Sequence, residues 1–412
     1  MNAIQIKKMY LEFMAKRGWP TRKSGKLVDS TFPHCFTISG AVDWFNTKLR
    51  TDPFRKEAYA YWVRCFRHYD APDDTHLPFF WMLLCVSWDL YPREKAIADN
   101  FAFFKELGLD QNRLKITCWK GGKVYGRGIN LAADVENSCT GREFKKMQKE
   151  GIFIPRDDEA VNAWKRCGIK DDQIIRAGEL ETLDPSGFDA ILLNAREYFA
   201  GVRSEPYYEI NGRYVEIGVF LSEEYIKKPI ALRDKVPQEV LEDPLDSDKF
   251  LLRLKPKPVP AGFGFERLAM AVNDFNSFYE LEPYRTLREV LTSGRKLDES
   301  KEKMVLETAA YVPAIVWLVH DGADLLVKNK ERQRRGIYRK VLKTVIRNLR
   351  ELGLDSDDIY LGLFNAVINY YLQDEECQTL KGMDKPCLEE ICKQKERMVL
   401  EEKNLARQTA FD

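Results

Sequence analysis

Gly262-Phe263-Gly264-Phe265-Glu266-Arg267, running straight into Leu268-Ala269-Met270-Ala271-Val272, is the stretch on which the reading of this chain turns. The aromatic and glycine residues suit the end of a strand, and the apolar run after them suits the start of a helix. Glycines at such a corner let the backbone pass close to a ligand, because no Cβ intervenes. An arginine at the helix start then projects toward an anion. Arginine at position 267 excludes a Gly-x-Gly-x-x-Gly dinucleotide turn, and no Gly-x-x-x-x-Gly-Lys-Ser/Thr phosphate loop occurs in the chain.

Upstream, Ala58 to Tyr69 and Leu77 to Trp88 read as two strands joined by the polar turn Ala71-Pro72-Asp73-Asp74-Thr75-His76, a hairpin buried on most sides. Arg64 and Arg67 lie near the end of its first strand. A buried guanidinium needs a partner, since leaving it unpaired costs several kcal/mol. Either Asp70, Asp73 or Asp74 supplies one, or a bound triphosphate does.

Composition sets the outer limits. The chain has 412 residues, 44% of them hydrophobic and 31% charged, which fits a globular protein of two or three domains. A net charge of +1 gives no global attraction to nucleic acid or membrane, so any polyanion must meet a local patch. Nine cysteines without Cys-x-x-Cys pairs, and a start that is amphipathic rather than signal-like, imply a reducing cytoplasm. No apolar run of about twenty residues is present, so no membrane partner is expected.

The Gly-x-Gly-x-x-Arg corner resembles motif 3 of class II aminoacyl-tRNA synthetases, and the hairpin resembles their motif 2. Within that class, Arg64-Cys65-Phe66-Arg67 followed by Phe79-Phe80-Trp81-Met82-Leu83 is similar to the alanyl-tRNA synthetase form. So are Phe36-Thr37, Gly40, Val42 and Phe45 in the motif 1 region, and Gly201-Val202-Arg203-Ser204-Glu205 through Gly212-Arg213-Tyr214-Val215-Glu216-Ile217. The resemblance implies an α+β fold, an antiparallel sheet flanked by helices over residues 1–279, and an all-α tRNA-recognition domain over 280–412. It implies ATP and Mg²⁺ as cofactors. Arg67 would hold the α-phosphate and Arg267 the γ-phosphate, as the catalytic pair. Arg64, His76, Phe80, Trp88 and Gly264 would complete the nucleotide site, with Glu205 beside ATP and its metal ion.

Independent of the resemblance, Asn211-Gly212 reads as a tight hairpin turn, and Asp157-Asp158-Glu159 as a helix cap. Lys227 to Asp248 reads as a long connection. Helical periodicity appears at Glu302 to Val327, Arg334 to Leu352, Ile359 to Leu372 and Leu388 to Leu405. The basic segment containing Arg335, Arg339 and Lys340 coincides with a tRNA-binding element of the resembled family. The four histidines, His34, His68, His76 and His320, do not form the zinc-binding arrangement of that family's editing domain, so editing and C-terminal modules are expected to be absent.

The chain also departs from the family. The aspartate that holds the substrate ammonium just before motif 3 is replaced by Pro260-Ala261, an orienting asparagine aligns with Val219, and the glutamate of Phe-Phe-Glu-Met-Leu has become Trp81. Each lost charge-assisted bond would weaken ammonium binding by about 1.5–3 kcal/mol. Asp189 and Glu216 are candidates for a compensating carboxylate, and Glu216 also matches a position of its own in the family. Three readings follow. The first is a ligase that forms an acyl-adenylate from an amino acid or related carboxylic acid and passes it to tRNA or a small-molecule acceptor. The second is a non-catalytic synthetase-like module that binds tRNA or a partner. The third is a reduced-length alanyl-tRNA synthetase. Retention of Arg67, Arg267 and Glu205 favours the first.

Overall fold

The computed structural model describes residues 1–23, 25–27, 37, 40–68, 71–126, 139–178, 191–192, 199–323 and 332–409. The strands, in chain order, are β1 (Thr21–Arg22), β2 (Glu57–Phe66), β3 (Phe79–Trp88), β4 (Leu114–Trp119), β5 (Gly122–Val124), β6 (Ile152–Ile154) and β7 (Ile174–Ala177). They continue with β8 (Ile191–Leu192), β9 (Phe199–Ile210), β10 (Arg213–Glu216), β11 (Val219–Lys227), β12 (Leu251–Arg253) and β13 (Pro258–Gly264). The main sheet runs β1-β2-β3-β13-β11-β9-β4-β7, with β10 and β8 on β9 and β12 on β11. It is antiparallel except at its two ends, where β1 joins β2 and β7 joins β4 in parallel. β5 and β6 form a separate pair.

The expected hairpin is β2 and β3, in full register from Glu57 opposite Trp88 to Phe66 opposite Phe79. Both strands are buried almost throughout, which is why they read as near-continuous apolar runs rather than as an alternation. Asn211 and Gly212 take positive φ of 50° and 83°, the left-handed pair that a two-residue hairpin demands, and join β9 to β10. Gly201 answers a different need. Beside the bulge between Ser222 and Tyr225, a Cβ there would stand 1.7 Å from the Ser222 carbonyl.

Asp157 caps the helix Asp158–Arg166 by accepting from the Ala160 N–H, as read from the sequence. Its other oxygen holds Arg93 at 2.7 Å in a fully buried ion pair, and Arg93 also donates to the Phe220 carbonyl of β11. One buried guanidinium thus ties the helix Arg93–Glu106 to the sheet. The connection after β11 is not plain coil: it holds the short helix Lys228–Arg233 and a 3-10 turn at Gln238–Val240.

From Tyr284 onward the described chain is helical: Tyr284–Thr292, Glu299–His320, Arg332–Glu351, Asp357–Tyr371 and Asp384–Thr409. The first long helix stops at His320, short of the expected Val327, because Gly322 takes a φ of 86° just past its cap. Of the motif 1 region, Phe36 lies outside the described residues and Thr37 within them. No helix among the described residues is long and apolar enough to cross a membrane.

Alternation along β2 and β3 divides the core. Trp62, Phe66, Trp81 and Leu83 face the helices Ala3–Lys16 and Phe265–Asn273 and the C-terminal helices. Tyr61, Val63, Met82 and Leu84 face the other way, beside the cavity described next.

A candidate nucleotide-binding cavity on the open face of the sheet

On that second face a cavity of about 290 Å³ opens over β13, β11 and β9. β13 pairs Gly262 with Val219 of β11 and Gly264 with Met82 of β3. Arg203, Glu205 and Tyr207, alternate residues of β9, rise beside them. The turn from β2 to β3 supplies Arg67, Thr75, His76 and Leu77, the start of β3 supplies Phe80, and the start of the helix Phe265–Asn273 supplies Glu266 and Arg267.

Each basic group has a defined seat. The Arg67 guanidinium lies 4.9 Å from the centre of the Phe80 ring, and its backbone N–H donates to the Pro78 carbonyl. Arg267 donates through Nη1 to the Glu216 carboxylate at 2.7 Å and to the Glu216 carbonyl at 3.2 Å, and through Nε to the Thr75 carbonyl at 3.1 Å. His76 Nδ1 sits 3.0 Å from Asp73. Burial would raise the Asp73 pKa, but the His76 and Thr75 hydrogen bonds outweigh it and hold the carboxyl well below its ordinary value.

Glu205 is buried at 3% exposure, 3.0 Å from Arg203 Nε, and accepts from the Tyr207 hydroxyl at 2.9 Å. Burial, assisted by the nearby Glu216 charge, pushes its pKa to about 8 against the pull of Arg203. Glu266, wholly buried beneath the cavity, accepts from the Trp81 backbone N–H at 3.3 Å and is also pushed up to about 8, by burial.

A measurable consequence attaches to Glu266. Its folded pKa lies above the ordinary 4.5, so between those values the native state binds more protons than the unfolded chain, and stability falls as pH rises. Thermal melts across pH 5 to 8 should show that decline, flattened in Glu266→Gln. An equal slope in the variant would assign the effect elsewhere.

The cavity gathers most of the site residues expected from the sequence: Arg67, His76, Phe80, Glu205, Glu216, Val219, Gly264 and Arg267. Three others fall elsewhere. Arg64 is three positions from Arg67, so strand alternation turns it to the opposite face. There it stacks 4.2 Å from the Trp317 ring, donates to the Gly25 carbonyl and lies 3.4 Å from Asp321. Trp88 is buried at the far end of β3 and donates to the Pro53 carbonyl. Pro260 shares a strand face with Gly262 but pairs with Val86, one step beyond the cavity lining. Trp81, too, faces the helices, so its exchange for glutamate does not remove a cavity wall. Asp189 lies outside the described residues.

Sequence reading missed Arg203, Tyr207 and Glu266 as lining residues. Period two from Glu205 along β9 was the available signal for the first two. Arg335, Arg339 and Lys340 stand on the helix Arg332–Glu351 and do not line the cavity. Burial and the neighbouring Arg397 and Arg335 charges lower the Arg339 pKa, which marks local crowding of like charge. Arg334, in the same basic segment, is buried rather than presented to solvent.

No family model matches the chain. Among curated proteins it is similar to the alanine–tRNA ligase of Idiomarina loihiensis, at 22% identity over 372 residues, covering 86% of this chain and 36% of that protein. It is likewise similar to the alanine–tRNA ligase of Legionella pneumophila, at 24% identity over 414 residues, covering 93% and 42%. Among solved structures, apo S. aureus histidyl-tRNA synthetase aligns at 11% identity over 66% of this chain and 69% of that one, with a TM-score of 0.38. The chain spans about two-fifths of the length of the curated relatives it matches. Over 86–93% of its length, then, this chain is similar to alanine–tRNA ligases.

Proposed function

We propose that this chain is an ATP-dependent, adenylate-forming ligase that activates an amino acid or related carboxylic acid and passes the acyl group to tRNA or a small acceptor. The observation that carries the reading is the convergence of Arg67, Arg267, Phe80 and Gly264 on one cavity. Gly264 is the telling member. Its φ of −69° and ψ of 124° suit any residue, and the nearest atoms to a Cβ there would be those of the Arg267 side chain, at an ordinary 3.7 Å. Among the described residues no close contact demands glycine at this helix N-cap, and a phosphate approaching Arg267 past this point would favour it.

Gly264→Ala is therefore expected to leave the melting temperature unchanged while raising the KM for ATP about tenfold or more, a loss of roughly 1.4 kcal/mol. An unchanged KM would remove this support.

In the proposed reaction the substrate carboxylate attacks the α-phosphorus of ATP in line and pyrophosphate leaves. Arg67 stabilises charge on the α-phosphate and Arg267 on the γ-phosphate. No protein nucleophile takes part. For Mg²⁺, the described residues contain no cluster of three metal-binding side chains, but Glu205 lines the cavity as a hard oxygen donor. One carboxylate completed by substrate phosphates is a usual Mg²⁺ arrangement, and Glu205 would have to give up its Arg203 and Tyr207 contacts to hold the ion. When bound, Mg²⁺ would supply charge neutralisation at the phosphates.

ATP–pyrophosphate exchange over a panel of amino and non-amino acids tests the reading. Exchange with at least one acid is expected, and a wild-type chain that binds no ATP would leave a binding module as the better account. On the acceptor side, Arg335, Arg339 and Lys340 are the proposed phosphate contacts for tRNA. Neutralising Arg335 and Lys340 should flatten the salt dependence of tRNA binding by about two counterions. Salt-independent or undetectable tRNA binding would favour a small acceptor.

The chain's place in the cytoplasm belongs to the same proposal.

A further inference from the structure

Among the described residues three carboxylates line the cavity: Glu205, Glu216 and Glu266. Glu205 and Glu266 are held below the surface, by Arg203 and Tyr207 in one case and by the Trp81 backbone in the other. Glu216 alone is substantially open, with 30% of its side chain exposed. A cationic group entering the cavity would therefore meet Glu216 first. The neutral Val219 is three residues further along, and Pro260 offers neither a carboxylate nor an N–H. Yet Glu216 is spoken for: its carboxylate and its carbonyl both hold Arg267.

We infer that Glu216 is the specificity residue for a substrate ammonium group, and that phosphate binding at Arg267 is what frees it. This rests on the ligase reading above. A polyphosphate carries several negative charges and offers the Arg267 fork a stronger partner than one half-exposed carboxylate. As Arg267 turns to the phosphate, Glu216 loses its counter-charge and becomes the nearest acceptor for an ammonium group. Because the two ligands act through one ion pair, each must tighten the binding of the other by the same factor. The cavity then prefers an α-amino acid over its α-hydroxy analogue without the aspartate that Pro260 has displaced.

The test uses the intact chain with Glu216→Gln and Glu216→Asp. Isothermal titration with Mg·ATP alone is expected to show binding about threefold to tenfold tighter in Glu216→Gln, because Arg267 no longer has to leave an ion pair. Pyrophosphate exchange with L-alanine, glycine and L-serine, each against its α-hydroxy analogue, is expected to favour the amino form in the wild type. That ratio should fall at least about tenfold in Glu216→Gln and recover in part in Glu216→Asp. Weaker Mg·ATP binding in Glu216→Gln would overturn the inference and make Glu216 a metal ligand. An unchanged amino-to-hydroxy ratio, or a wild type that activates only hydroxy acids, would overturn it while leaving the ligase standing. A wild type that binds no ATP would remove both.

Discussion

ATP–pyrophosphate exchange should be lost in the double variant Arg67→Ala/Arg267→Ala and fall by about a hundredfold or more in each single variant, the usual effect of removing one preorganised donor from developing charge. The two guanidiniums stand on different elements, one past the end of β2 and one at the start of the helix Phe265–Asn273, so under the proposed reading they would grip a triphosphate from two sides. Arg67→Lys keeps the charge but loses the planar fork and the face-on contact with Phe80, and should recover only part of the activity. Arg267→Ala also leaves Glu216 without its counter-charge, which would repel ATP further. Melts separate chemistry from folding, a needed control since both groups are only partly exposed and Arg267 also ties the helix start to Thr75 and Glu216. Arg64→Met is the contrast. Its guanidinium lies on the helical side of the sheet, so this change should lower stability more than it lowers the affinity for ATP. Single arginine variants that exchange at the wild-type rate would sink the phosphate grip.

The difference between Arg64 and Arg67 shows what the sequence made legible. Both sit in one four-residue stretch that resembles a synthetase motif, and the hairpin carrying them was readable from its apolar runs and its polar turn. Their opposite faces also followed from counting along the strand, but only once the strand's end was known. A buried strand has no polar face to fix its phase. Glu205 was readable through the resemblance, and counting by twos along β9 from it would have added Arg203 and Tyr207. The Arg93–Asp157 pair joins residues 64 positions apart, and neither local periodicity nor capping announces it. Asp157 could be read as a cap, which it is, but its second role depends on tertiary packing. The four longer C-terminal helices were legible in order, because their apolar spacing is strong, while the short helix Tyr284–Thr292 was not. What the longer ones cover was not legible either.

That covering contact yields the largest expected loss of stability. Trp81→Ala should destabilise the chain by about 3–5 kcal/mol, the range for a fully buried large aromatic. Trp81 is sandwiched between Trp62, with ring centres 4.3 Å apart, and Tyr371, 4.8 Å away and nearly parallel, while Phe265 and Trp317 meet it edge-on. Lys7 closes the stack over Trp62 at 4.3 Å and pairs with Asp374 and Glu376. The sheet, the first helix and the helical region thus meet at one ring. Its indole N–H has no hydrogen-bond partner among the described residues, so Trp81→Phe removes an unsatisfied donor along with some area and should cost less than about 1.5 kcal/mol. Trp81→Glu restores the residue of the resembled family and should be worse than alanine. It would place a carboxyl between two aromatic rings, close to Glu266, which already carries a raised pKa for want of solvent. Chemical denaturation of the three variants should therefore rank them phenylalanine, alanine, glutamate in decreasing stability. A glutamate variant as stable as the wild type would mean that the ring stack does not hold the sheet to the helices.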